Sequence, residues 1–219
     1  MTFIQMINAV LRRLRENEVV SVSDGPYSKL IGDFVNEAKR EVEDAHNWIQ
    51  LRATIQVTTI PSTFSYALTG AGDRFRILFA MNDTEDSVMK IAPTNWMTEN
   101  LLISSGPQLA APMYYDINGQ SNGDGVVDVY PVPDGEYNLN FDIVLPQDDF
   151  ALDGTDDDTL VLINSQPIIL GAYAKAISER GDDSGMQFAE AMKNYALALG
   201  DGIAIDFRNQ PHESVWIVE

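Results

Sequence analysis

Apolar residues recur every third or fourth position at both ends of this 219-residue chain, and every second position between them. A period near 3.6 specifies a helix with one buried stripe, and a period of 2 specifies a strand with one buried face. A chain that switches from the first to the second and back is neither all-helical nor all-strand. Its order places the strands as an insertion between terminal helices that most simply pack on each other. The fold class read from this is α+β. A helical bundle is expected from the terminal helix pairs (1–50 and 160–202), with an antiparallel β-sheet or sandwich inserted at 51–159 and an extended C-terminal arm at 203–219.

The first stripe is Phe3, Met6, Ile7, Val10, Leu11 and Leu14. Thr2 and Gln5 have the spacing of a capping box, and Arg12, Arg13 and Arg15 fall in the last turn, where the helix dipole favours cations. Gly25-Pro26 breaks the chain and opens a second helix. Its stripe is Ile31, Phe34, Val35, Ala38, Val42, Ala45 and Ile49 beside Trp48, with Glu37, Arg40, Glu41, Glu43 and Asp44 on the opposite face.

From Leu51 the alternation takes over: Ile55 and Val57; Phe64, Tyr66 and Leu68; Phe75, Ile77, Phe79 and Met81; Met113, Tyr115 and Ile117; Val127 and Val129. The clearest strand carries Tyr137, Leu139, Phe141, Ile143 and Leu145 between Asn138, Asn140 and Asp142, after an Asp134-Gly135 turn. The stretch 95–112, with Trp96, reads as a loop or short helix. One dry face per strand fits an antiparallel sheet or sandwich.

After an acidic loop at 148–158, helices return. Asn164 or Ser165 caps a helix striped by Ile169, Ala172, Tyr173, Ala176 and Ile177, with Pro167 in its first turn and Gly181 at its end. Ser184 and Gln187 match a second capping box, opening a helix with Phe188, Ala191, Met192, Tyr195 and Leu199 inward. Gly200 and Gly202 are expected to stop it. The remaining segment, 203–219, holds Phe207, Arg208, Trp216 and Ile217, and is too aromatic for a solvated tail. Aromatic and arginine side chains are what interface hot spots favour, so these four are the candidate interaction residues.

A chain this long buries roughly 70% of the surface its unfolded form exposes, and with 45% hydrophobic residues it is no disordered segment. It has no cysteine, which excludes disulfides, thiolate zinc sites and cysteine nucleophiles. The sequence has neither the charge order of a signal peptide nor an apolar run long enough to span a bilayer, so a protein without membrane association is expected. The formal net charge is -19, from 33 acidic and 14 basic residues. Between Lys90 and Lys175 there is no Lys or Arg, while thirteen acids fall in the gap. Such a surface repels phosphates, which argues against gripping nucleic acid and suits either a solvated face or one that stays near DNA without holding it.

Catalytic chemistry has little to work with. His46 and His212 are the only histidines. Neither neighbours a nucleophile motif, and there is no zinc-ligand spacing. His46, one position from the apolar stripe, reads as a boundary residue, and His212 as a contact residue. Gly70-Ala71-Gly72 lacks the Lys-Ser/Thr of a phosphate loop and reads as a turn. Asp153, Asp156, Asp157 and Asp158 in one loop, and Asp116, Asn118 and Asp124 in another, offer hard oxygen ligands of the kind calcium takes. Neither matches the twelve-residue hand motif, and solvated turns are the preferred reading. No catalytic, cofactor-binding or metal residue is assigned.

Three stretches carry a family resemblance. They are the opening helix from Phe3 to Arg15; the run from Phe34 to Glu43 leading to Trp48, Leu51 and Arg52; and Val129-Tyr130-Pro131-Val132-Pro133-Asp134-Gly135 through Phe141-Asp142. Gly171-Ala172 and Glu179-Arg180-Gly181-Asp182 continue the order. In these the chain resembles the head-to-tail adaptor proteins of short-tailed bacteriophages. The resemblance implies a structural virion protein of the neck, assembled in the host cytoplasm as a dodecameric ring. Such a ring would hold the portal protein on one side and tail nozzle or tube proteins on the other, around a channel through which DNA passes without specific binding. It implies no catalytic residue and no cofactor. The competing readings are another neck or tail-tube protein, a calcium-dependent or carbohydrate-binding β module carried by helices, or a hydrolase using paired carboxylates.

Overall fold

The computed structural model describes residues 1–103, 106–182 and 185–209. Helix α1 (Phe3–Arg13) opens with the expected capping box: Thr2 Oγ1 accepts from Gln5 N at 3.4 Å, and Gln5 Oε1 accepts from Thr2 N at 3.1 Å. A 3-10 turn at Val22–Asp24 leads to α2 (Pro26–Ala45), with Pro26 in its first turn. The strands follow as β1 (Arg52–Thr58), β2 (Ser65–Ala67), β3 (Arg76–Asn82), β4 (Ser87–Val88) and β5 (Lys90–Ile91). A short helix, α3 (Thr94–Leu101), precedes β6 (Tyr114–Ser121), β7 (Asp124–Tyr130) and β8 (Asn138–Val144). Helix α4 (Ser165–Ile177) is capped by Asn164, whose Oδ1 accepts from Gln166 N at 3.0 Å. It ends in a wide turn, Ser178–Asp182, where Gly181 takes φ 86°, a value L side chains rarely adopt. The last element is α5 (Met186–Asn209).

The chain divides into two compact units, Met1–Leu51 with everything from Pro146 onward, and Arg52–Leu145. The terminal helix pairs therefore share one bundle, as the stripes predict. In it α1 touches α2 and α4, α2 touches α4, and α4 touches α5. The centre is α4, apolar nearly all round, with Ile168, Ile169, Ala172, Ala174, Ala176 and Ile177 buried. Gly171 lets its neighbours close in: a Cβ there would lie 3.1 Å from Ala38 Cβ and 3.2 Å from Tyr195 Cε2.

The expected end of the last helix fails. Gly200 and Gly202 do not stop α5; the helix runs through both to Asn209. Each glycine costs a helix about 1 kcal/mol against alanine, which tertiary contact readily outweighs. Gly202 is buried against the Trp48 ring, and Asp206 is buried one turn later. Residues 203–209, expected to begin an extended arm, are thus the last turns of a docked helix. Residues 210–219, with Trp216 and Ile217, lie outside the described residues, as does Ser184 of the second capping box.

The second unit is a sandwich. One sheet has the order β1-β8-β3-β4 and is antiparallel; the other has the order β2-β7-β6-β5, with β5 parallel to β6 at its edge. Leu139, Phe141 and Ile143 of β8 meet Tyr115, Val127 and Val129 of the facing sheet in one core, with Tyr115 edge-on to Phe141 at 5.8 Å. On the outer side of the first sheet, Thr54, Gln56 and Thr58 of β1 donate to Asp142, Asn140 and Asn138 of β8. The alternation is interrupted in β3. A bulge between Ile77 and Phe79 shifts the register, so that Ala80 and Asn82 face inward while Phe79 is exposed. A second irregularity follows Ile117 in β6, and that residue is exposed.

Candidate interaction surface

Helix α5 faces the bundle along Phe188, Ala191, Tyr195, Gly202 and Asp206, of which only Ala191, Gly202 and Asp206 are fully buried. Because α5 packs on α4 from one side, its outer surface stays open. Met186 is 87% exposed and Phe207 50% exposed, with Met192, Leu197 and Ile205 also on the surface. Met192, which the stripe placed inward, is therefore an outer residue. Of the sequence-predicted interaction residues, Phe207 and Arg208 sit exposed in the last turn of α5.

That last turn is fixed by its neighbour two positions back. Asp206 Oδ2 lies 3.0 Å from His46 Nε2, and both carboxylate oxygens lie 3.4 Å from Ile49 N. Trp48 is held in turn by its Nε1, which donates to Val42 O at 2.7 Å, and by an edge contact with His46 at 5.3 Å. His46 is thus the boundary residue its position suggested, and its partner is structural.

The largest departure from the sequence reading is on the polar side of α2. Glu43, which the charge pattern places on the solvated face, is fully buried together with Lys39, with Nζ and Oε1 3.6 Å apart. Lys39 Nζ donates to Gln147 O at 2.7 Å and Asp148 O at 2.9 Å, while Glu43 Oε1 accepts from Gln147 N at 3.2 Å. Asn36 exchanges two bonds with the backbone of Phe150, whose ring lies 4.9 Å from that of Phe3, tilted by 37°. Asn36, Lys39 and Glu43 form a polar stripe at i, i+3 and i+7. That spacing was present in the sequence and is the signal that could have found them. The start of the acidic loop therefore lies with the helices, read by side chains of α2, and Arg40 pairs with Asp149 beside it.

The aspartates of that loop bond to backbone and to neighbouring hydroxyls. Asp156 Oδ2 accepts from Ala151 N at 2.7 Å, and Asp157 Oδ1 from Val22 N at 3.2 Å. Asp153 Oδ1 accepts from Thr155 Oγ1 at 2.6 Å and Thr155 N at 2.9 Å, and these bonds hold its carboxyl below the usual range. In the β unit, Asp124 Oδ1 accepts from Gly70 N and Gly72 N, closing the glycine turn, and Asn118 donates to Asp128 at 2.7 Å. Among the described residues no three His, Cys, Asp or Glu side chains are placed to hold a metal ion, and no helix is long and apolar enough to cross a membrane.

On the β unit, Trp96 of α3 stands 5.1 Å from Tyr114 and 5.3 Å from Tyr130, and with Ile91, Ala92 and Pro93 lines a shallow apolar cleft. The stretch carrying Trp96, read from sequence as a loop or short helix, contains the short helix α3. In the bundle, Arg13, Arg15 and Arg180 rim a second cleft floored by Leu14, Tyr173 and Ile177.

One comparison decides the class of this protein. The model of the family described as SU10 adaptor protein matches residues 1–214. The chain belongs to the SU10 adaptor protein family. The membership bears out the resemblance seen in the sequence: the protein is a phage adaptor, in a structural class that is not an enzyme class. No curated protein matches the chain. For an SU10 adaptor, the exposed apolar side of α5, the Trp96 cleft and the arginine-rimmed cleft are the places where other chains are to be sought.

Proposed function

We propose that this adaptor forms a dodecameric ring in the virion neck, holding the portal on one side and tail nozzle or tube proteins on the other while DNA passes through. The observation that carries this reading is α5. A 24-residue helix that buries only Ala191, Gly202 and Asp206 fully, and leaves Met186, Leu197, Ile205 and Phe207 on its surface, has more apolar surface than an isolated monomer needs to expose. Family membership supplies the kind of partner. Phe207 and Arg208, with Trp216 and Ile217 beyond them, are the contact residues in this reading, and the anchored last turn of α5 presents the first two.

The acidic stretch supports a passive channel, because a wall of like charge lets a polyanion slide where lysines would add salt-dependent attraction. Assembly in the host cytoplasm and residence in the neck follow from the same role. Electron microscopy of purified particles carrying a gold-labelled copy of this protein tests it, together with native mass spectrometry of the ring. Label at the head–tail junction and a twelve-subunit mass are expected; label on the capsid surface or along the tail shaft overturns the reading.

A further inference from the structure

In a chain of net charge -19, four of the fourteen basic residues gather at one end of the bundle: Arg12, Arg13, Arg15 and Arg180. Arg12 is paired with Glu18 at 2.8 Å. Arg180 is paired with Glu16 at 2.6 Å and donates to Tyr27 Oη at 2.9 Å, which fixes its position. Arg13 donates only to a neutral group, Ala9 O, at 2.9 Å, and Arg15 is exposed at φ 59°, just past the end of α1. Arg13 and Arg15 thus leave positive charge on the rim of a cleft whose floor is Leu14, Tyr173 and Ile177. An apolar floor under a cationic rim takes an apolar peptide with acidic flanks.

The chain itself carries such a peptide. Residues 213–219 read Glu-Ser-Val-Trp-Ile-Val-Glu, an apolar run between two glutamates. We propose that the C-terminal residues of one copy dock in the Arg13–Arg15–Arg180 cleft of a second copy, with Trp216 and Ile217 on the floor and Glu213 and Glu219 at the rim.

The copy must be a second one for a reason of length. The cleft also touches Gln187, at the start of α5, whereas the tail leaves from Asn209 at its end. At 1.5 Å per residue these points are about 33 Å apart. Seven extended residues from Asn209 bring Trp216 at most about 25 Å. Within one chain the tryptophan falls short; between neighbours it does not. The inference deepens the ring reading above by naming a contact that would link its subunits.

The test is fluorescence anisotropy with a labelled synthetic peptide of residues 210–219. The receptor is the full chain carrying Trp216→Ala and Ile217→Ala, so that its own tail does not compete. Saturable binding is expected, weakened about tenfold or more by adding Arg13→Glu and Arg15→Glu to the receptor. A peptide with Glu213→Lys and Glu219→Lys should regain affinity for that charge-reversed receptor and lose it for the other. Both arginines are exposed, so the reversal leaves the bundle intact, and the rescue excludes a folding defect. No saturable binding, or equal binding to both receptors, overturns the proposal. Because the peptide assay needs no ring, sedimentation velocity of the unaltered chain separates the two readings: subunits that associate without binding the peptide sink this contact and leave the ring standing, whereas peptide binding by a chain that never associates overturns docking between copies.

Discussion

His46 Nε2 lies 3.0 Å from the Asp206 carboxylate, joining the exit of α2 to the last turn of α5 across 160 positions of sequence. The carboxylate is buried and also faces Ile49 N, so it caps one element while tethering another. Replacing it removes charge-assisted hydrogen bonds at a dry site, at a cost of roughly 1.5–3 kcal/mol. Asp206→Ala is expected to lower the thermal midpoint by roughly 4–8 °C in a chain of this size, while Arg208→Ala, two positions on and exposed, leaves it nearly unchanged. Calorimetry of the two variants checks this, and equal melting would show that the tether does not hold α5.

Lys39 and Glu43 are expected to behave as a unit. Lys39→Met leaves the Glu43 carboxylate buried without its cation and should cost about 3–5 kcal/mol; Lys39→Met with Glu43→Leu should cost much less than the two single changes added together. Urea unfolding of the four proteins of the cycle measures the coupling. Strict additivity would mean the two side chains do not sense each other.

The two ends of the segment 203–219 are expected to separate in a deletion series. Ending the chain after Asn209 keeps Gly202 and Asp206 and should leave the bundle folded while abolishing attachment to portal-bearing heads. Ending it after Gly202 removes Asp206 and should destabilise the bundle itself. Circular dichroism and a head-attachment assay distinguish the two; a chain ending at Asn209 that still attaches would remove Trp216 and Ile217 from the contact residues.

Hydrogen bonds from Thr155 set the titration of Asp153. Its carboxyl is held below the usual range, so whatever it contributes to the loop is complete above the unfolded-state pKa and is lost as pH falls through the lower folded value. Thr155→Val removes the hydroxyl donor and should move the carboxyl back up toward its ordinary range. Carbon-detected NMR titration of the Asp153 side chain reads this directly, and an unmoved midpoint would assign the shift elsewhere.

Duplex DNA is expected to bind weakly. With thirteen acids and no Lys or Arg between Lys90 and Lys175, the chain should show no submicromolar affinity in filter binding even at low salt. Tight, salt-sensitive binding would contradict a passive channel.

Periodicity made the architecture legible. The four terminal helices, the Thr2–Gln5 box, the Asn164 cap and the β8 alternation all depend on residues near each other in sequence, so local patterns specify them. The family, too, was legible, in the opening helix, the Phe34 to Arg52 run and the Val129-to-Asp142 stretch. Less visible was where a pattern breaks. The bulge at Ile77/Phe79 reverses which residues of β3 face the core, and it is settled by pairing with β8, more than sixty positions away.

Local pattern was enough to locate the four terminal helices and most of the strands, to exclude thiol chemistry, and to show the family. Tertiary structure alone decided the fate of three sets of residues. Gly200 and Gly202 look like a helix stop until Trp48 and His46 offer α5 a docking site that outweighs glycine's cost. Glu43 looks solvated until Lys39 and the backbone of Gln147 supply its partners. Arg180 looks unrelated to Arg13 and Arg15 until the turn after α4 brings it to the end of α1, round one cleft. In each case the deciding partner is remote in the chain, so the free energy that settles the local question is not written in the local sequence.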